Sequence, residues 1–261
     1  MEELLSLAKE WLMPLAQTLL KYGAAGPVYA LGDQVSWVPP RYARRKLATA
    51  GLLRNANAPT TPCRQNPGMV SFQSVLALLG FDQYYDLDLN GRAAITCDFS
   101  QPLAPELVGK AGVVIDIGTC EHIFNLAQVF ANIVELLKPG GMVIHLAPLS
   151  WYNHGFVNFN PLFFREFYEH NGFTVLDHGL IVTPFEYPLQ GILGRVGLGD
   201  YYLHSEISPI SFLLDDENRM VGRIANHIGL GSRIIFLFSG RKNLDRPVRF
   251  PCQRMYSRPA A

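Results

Sequence analysis

Two short stretches hold most of the groups able to move a proton: Cys120–Glu121–His122, and Trp151–Tyr152–Asn153–His154. Imidazole titrates near neutral pH, so His154 is the first candidate to take a proton from a hydroxyl or amine, with His122 and Tyr152 as further catalytic candidates. Trp151 and Asn153 could shape a small-molecule substrate site, since an indole face and an amide offer packing and hydrogen bonds together. Each has a plainer reading as well. His122 at the start of a helix serves as a structural donor, Glu121 there complements the helix dipole, and His154 fits an ordinary turn. Three consecutive residues are poor geometry for one ion, so no metal centre is expected at Cys120–His122.

Acidic residues at the ends of β-like runs form a second set. Asp86 and Asp88 close the run from Tyr84, and a carboxylate there can accept from both hydroxyls of a vicinal diol. Asp98 follows a third run and could accept from an amino group while Phe99 packs on a ring face. A solvated strand end for the first pair and a turn or cap for Asp98 are the alternatives. Gly32 is the one glycine directly after the first run, where backbone must come close to any ligand, or simply turn.

The elements that must hold these groups alternate. Apolar runs at Val28–Leu31, Tyr84–Leu87, Ala94–Cys97, Val113–Ile117, Met142–Leu146, Thr174–Ile181 and Ile234–Phe238 read as seven strands with helices between them. That pattern predicts an α/β fold with a doubly wound, mostly parallel seven-stranded sheet. Leu126, Val129, Phe130, Ile133, Leu136 and Leu137 mark an amphipathic helix, stopped by Lys138–Pro139–Gly140–Gly141. Asn160 and Pro161 open another helix, with Phe163, Phe164, Phe167 and Tyr168 as its core face.

The run from Val113 to Pro148, VVIDIGTCEHIFNLAQVFANIVELLKPGGMVIHLAP, resembles class I S-adenosylmethionine-dependent methyltransferases. The resemblance lies in a strand with an acidic-then-small end, a Glu-His pair opening a helix, and LLKPGG before the next strand, and extends more weakly from about Pro27 to Phe173. GDQVSW stands where the family carries a glycine-rich loop. The resemblance implies S-adenosylmethionine as cofactor, with Gly32 and Asp33 near its methionine moiety and Asp86 at the ribose. It implies Asp98 and Phe99 at the adenine, and Gly118 and Thr119 beside the sulfonium.

Residues 1–242 read as a single domain, with a helical element over 1–26 and a substrate-covering insertion over 185–230, where Tyr201 and Tyr202 either close over substrate or merely pack the insertion. Residues 35–68, with five prolines and five arginines, read as an inserted loop or partly helical lid, and the tail 243–261 as extended or disordered. The stripe Leu4, Leu5, Ala8, Trp11, Leu12, Leu15, Ala16 and Leu19 suits packing on the domain, with a lid or a homodimer contact as other uses. The 22 basic and 22 acidic side chains cancel, so neither nucleic acid nor an anionic membrane is an expected partner. With neither an export signal nor an apolar run long enough to span a bilayer, the expected location is cytoplasmic. Methyl transfer to oxygen or nitrogen of a small molecule is the leading expectation. Non-methyl chemistry on the same fold, such as cyclisation or elimination of the cofactor, and a noncatalytic scaffold are the alternatives.

Overall fold

Strand β4 (Ala111–Ile117) is buried at every position, as a strand packed on both faces must be. It lies in the middle of a seven-stranded sheet with β1 (Val28–Leu31) on one side and β5 (Leu137–Ser150) on the other. The structure, a computed structural model, describes residues 7–151, 154–183, 233–253 and 256. Beyond β1 come β2 (Tyr84–Asp88) and the short β3 (Ile95–Thr96), all parallel. Beyond β5 come β7 (Arg233–Lys242) and, at the edge, β6 (Phe173–Thr183), with β7 antiparallel to both neighbours. The order is therefore β3-β2-β1-β4-β5-β7-β6. The chain winds one way from β1 to β3 and the other way from β4 onward, so the direction reverses between β1 and β4. The crevice at such a reversal, outside the carboxyl ends of the strands, is where this class of sheet accepts ligands.

Alternation along β4 and β5 splits the core in two. Val113, Ile115, Ile144 and Leu146 face helix α1 (Lys9–Lys21), α2 (Pro40–Thr49) and α3 (Phe72–Leu78). Val114, Val143 and Ala147 face α4 (Leu126–Leu136) and α5 (Pro161–His170). The apolar stripe of α1 is spent inside the chain, since Leu12, Leu15, Ala16 and Leu19 are fully buried. Leu4 and Leu5 lie outside the described residues.

Helix α4 ends at Leu136 and the chain passes straight into β5, where Pro139 bars further helix and Gly140 takes φ +79°. Asn160 caps α5, its Oδ1 accepting from Leu162 N at 2.9 Å. The 35–68 stretch is partly helical, through α2, and the Arg44 guanidinium ties its loop by donating to the carbonyls of Ala56 and Ala58 at 2.6 Å. After β7 the chain runs extended along the end of α5, where Asn171 and Arg249 exchange two hydrogen bonds of 2.8 Å. Among the described residues, no helix is long and apolar enough to cross a membrane. The 185–230 insertion lies outside the described residues.

Candidate active site

At the reversal point the chain leaves β1 and β4 through two glycines in left-handed backbone, Gly32 (φ +80°) and Gly118 (φ +71°). A Cβ on Gly32 would stand 2.7 Å from Thr119 Oγ1, so no other residue fits there without displacement. Thr119 Oγ1 in turn donates to Leu31 O at 2.8 Å, which links the two loops. Between them opens a cleft of about 530 Å³, lined by Gly32, Asp33, Asp98, Phe99, Gly118, Thr119 and His122 among the expected residues.

Two residues carry more of this cleft than the sequence indicates. Gln34 is buried, and its Nε2 donates to Leu31 O at 2.5 Å. Its Oε1, buried where Gln34 lines both this cleft and a neighbouring cavity, has no hydrogen-bond partner among the described residues. A buried acceptor left over in this way points to a donor that arrives with a ligand. Asp88 is the strand-end acid on the cleft wall, its Oδ2 accepting from Asp33 N at 2.8 Å and its Oδ1 from Asn90 N at 2.9 Å. Each oxygen keeps a lone pair for a further donor.

Asp86 does not line the cleft. It faces a neighbouring cavity of about 650 Å³ beneath residues 61–73, and its Oδ1 is taken by Ala94 N at 2.7 Å. Asp86 and Asp88 share a face of β2, but only the later one reaches past the strand end. Asp33 is held by Arg92 at 3.7 Å and by Asn90 Nδ2 at 3.3 Å. Asp98 accepts from Ser100 N at 2.9 Å, so the turn role expected of it is present together with its place on the cleft wall.

The far end of the cleft leads to a corner made of Glu121, His122 and His154. Glu121 is fully buried, and burial first, then the charge of Asp116, pushes its carboxyl well above the usual carboxylate range. Its Oε1 stands 3.5 Å from His154 Nε2 and 4.0 Å from His122 Nε2, and neither oxygen accepts a hydrogen bond from another residue among those described. The two imidazoles meet edge to face with centroids 4.8 Å apart. Trp151 stacks on His154 at 4.0 Å and is not among the residues that line the cleft. Gly155 lets the loop lie against Glu121, where a Cβ would come within 2.8 Å of its Cγ, and Phe156 N donates to Glu121 O at 2.8 Å. Phe124 and Phe156, both exposed, pair edge to face beside the cleft at 5.8 Å.

Behind this corner lies a buried chain that the sequence did not signal. Asp116 and His145 are register partners on β4 and β5, joined at 2.7 Å, and His145 Nε2 meets Tyr168 Oη at 2.7 Å. Burial opposes ionisation of Asp116, but the hydrogen bond and charge of His145, the Cys120 thiol and Thr119 N–H outweigh it and hold the carboxyl below its ordinary value. Burial pushes the Cys120 thiol and the Tyr168 phenol up, and neighbouring acids add to this. Cys120 is thus turned into the core, away from Glu121 and His122. Tyr152, Asn153, Tyr201 and Tyr202 lie outside the described residues.

No family model and no curated protein matches the chain. Solved structures do resemble it. A methyltransferase-like protein from Bacillus halodurans is 13% identical over 88% of this chain and 99% of that one, with a TM-score of 0.47. The 1,6-didemethyltoxoflavin N1-methyltransferase of Burkholderia thailandensis, solved with 1,6-didemethyltoxoflavin and S-adenosylhomocysteine, is 12% identical over 89% and 79%, with a TM-score of 0.41. The [4+2]-cyclase SpnF is 13% identical over 90% and 81%, with a TM-score of 0.42. Mostly parallel strands in the order β3-β2-β1-β4-β5-β7-β6, with β7 reversed, make a doubly wound α/β sheet with helices on both faces.

Proposed function

We propose that the chain is an S-adenosylmethionine-dependent methyltransferase acting on an oxygen or nitrogen of a small molecule. The observation that carries this reading is the position of His122, which lines the cleft and stands 4.0 Å from the buried Glu121 carboxyl. Through His122 the proton-accepting corner borders the ligand cleft.

The residues present fit the cofactor. Gln34 Oε1, buried and without a partner, suits an α-amino group beside Gly32 and Asp33. Asp88 suits the ribose hydroxyls, taking the role expected of Asp86, and Asp98 with Phe99 suits the adenine. Gly118 and Thr119 lie between these and the corner. When bound, the cofactor supplies a methyl group on a cationic sulfonium.

The chain's own part is alignment and proton removal. The acceptor enters beside Phe124 and Phe156, whose exposed rings favour a molecule with an apolar portion. Its proton leaves into the Glu121–His122–His154 corner, where Trp151 holds the His154 ring in place. Tyr152 and Asn153 stand in sequence beside His154 and are assigned to the acceptor side on that ground, as Tyr201 and Tyr202 are to a cover.

Calorimetry with S-adenosylmethionine and S-adenosylhomocysteine tests the proposal. Binding of both in the micromolar range is expected, and binding of neither would end it. Mass analysis of turnover then separates the reaction type, because methylthioadenosine in place of S-adenosylhomocysteine would rule out methyl transfer.

A further inference from the structure

We infer that Glu121, His122 and His154 form a binding site for a divalent cation of the zinc type, with an open position toward the cleft. The inference rests on the proposed function, since it specifies how the acceptor loses its proton. Three observations support it. The first is the donor set: two imidazole nitrogens and one carboxylate are a combination that catalytic zinc sites use, with the fourth position left for water or substrate.

The second is spacing. The three ligand atoms lie within 4.8 Å of one another, with Glu121 Oε1 at 3.5 Å from one nitrogen and 4.0 Å from the other. Ligands about 2.0–2.2 Å from a tetrahedral zinc stand about 3.3–3.5 Å apart, so the Glu121–His154 pair is already at that spacing and the corner must draw in elsewhere to grip one ion. Both separations are long for a direct hydrogen bond.

The third is the state of Glu121. Its side chain is fully buried, and neither oxygen accepts a hydrogen bond from another residue among those described, its own backbone N–H being the one group near enough to contribute. A carboxylate taken out of water with so little hydrogen bonding is costly, and either uptake of a proton or coordination of a cation offsets that cost. The corner is also preformed, because the close approach of Gly155 and the Phe156 N–H to Glu121 O fix the two loops together.

The fully buried set Asp116, Cys120 and His145 is the other group of metal-ligating side chains within reach of one ion among the described residues. Its atoms are already committed to one another by hydrogen bonds, and it has no opening to the cleft. The sequence expectation of no metal rested on Cys120, Glu121 and His122 being consecutive. Cys120 turns inward, and His154 arrives from another loop to complete the set. A cation held there would bind the acceptor's oxygen and make its hydroxyl more acidic. The O–H bond then breaks with its electron pair left on oxygen, and the proton passes to solvent. His154 acts in that case as a ligand.

The full-length chain, stripped with EDTA and desalted, is titrated with Zn²⁺ by calorimetry and with Co²⁺ by visible absorption. One ion per chain is expected, with a tetrahedral Co²⁺ spectrum, and affinity at least tenfold weaker in Glu121→Gln, His122→Ala and His154→Ala. His170→Ala on α5 serves as a control and should bind as the parent does. His122 is partly exposed, so His122→Ala keeps the test open should the other two variants fail to fold. Absence of Zn²⁺ binding, or binding that survives unchanged in Glu121→Gln and His122→Ala, would overturn the inference. Titration of the same metal-free chain with S-adenosylhomocysteine separates this from the proposed function. Nucleoside binding with no ion binding rejects the cation site alone, and ion binding with no nucleoside binding supports it while rejecting the methyltransferase reading.

Discussion

The Asp116 carboxylate reaches across the β4–β5 register to His145, Oδ2 to Nδ1 at 2.7 Å, with both side chains fully buried. Removing one member of such a pair leaves the other desolvated and unmatched, which costs about 3–5 kcal/mol. Asp116→Ala should therefore lower the urea-unfolding free energy by roughly that much, and it also strips Thr119 N and Cys120 N of their acceptor. Loss of less than about 1 kcal/mol would show that the pair does not matter to stability.

The same contact sets a pH dependence. The folded-state value of Asp116 is depressed, so its stabilisation is complete above the unfolded value, about 4, and is lost as pH falls through the lower folded value. The stability gap between the parent and Asp116→Ala should be constant near neutrality and shrink below about pH 4. Denaturant melts from pH 7 to pH 3 would show this, and a gap that widens in acid would contradict the sign.

Gly32→Ala tests the junction between the two loops. The substitution puts a side chain in left-handed backbone, worth about 1–3 kcal/mol of strain. It also sets a Cβ 2.7 Å from Thr119 Oγ1, which is held on Leu31 O. The expected result is a destabilised chain with S-adenosylhomocysteine binding weakened at least tenfold by calorimetry. Unchanged binding would mean that the cleft does not need the loop geometry.

The strands are legible in the sequence because most hold a short apolar run, and LLKPGG marks the helix stop, although β5 already begins at Leu137 within it. The extension of β5 to Ser150 is not legible, since pairing with β7 sets it and not the residues themselves. Asp86 and Asp88 are equivalent by pattern, as both point to one face of β2, and only the depth of the strand in the sheet separates them. Gln34 carries no sequence signal, because an amide next to a turn is ordinary until its oxygen is found buried without a partner. Glu121 reads as a dipole-complementing acid beside His122, and the loop that returns His154 to it is a tertiary fact.

Gln34→Met distinguishes a ligand contact from a packing role. The free chain loses only the Nε2 bond to Leu31 O, and since Oε1 has no partner there, stability should change by no more than about 1 kcal/mol. Cofactor binding, by contrast, loses a hydrogen bond to a charged amino group, worth about 1.5–3 kcal/mol, so affinity for S-adenosylhomocysteine should fall by roughly tenfold or more. Equal affinity in the two chains would remove Gln34 from the site.

The two acids on β2 separate by the same measurement. Asp88 lies on the cleft wall with a lone pair to spare on each oxygen, while Asp86 faces the adjoining cavity and holds Ala94 N. Asp88→Asn turns one acceptor into a donor, which opposes Asp33 N–H or Asn90 N–H as well as a diol that needs two acceptors, so the loss falls on both loop and ligand. S-adenosylhomocysteine affinity should fall about tenfold or more in Asp88→Asn, the loss of one charge-assisted hydrogen bond. Asp86→Asn should bind as the parent does and show its effect in stability instead, because Oδ1 can still be an acceptor for Ala94 N while the buried charge is gone. The opposite pattern, with Asp86→Asn deficient in binding and Asp88→Asn unaffected, would move the ribose into the cavity beneath residues 61–73 and require the whole cofactor placement to be redrawn around it.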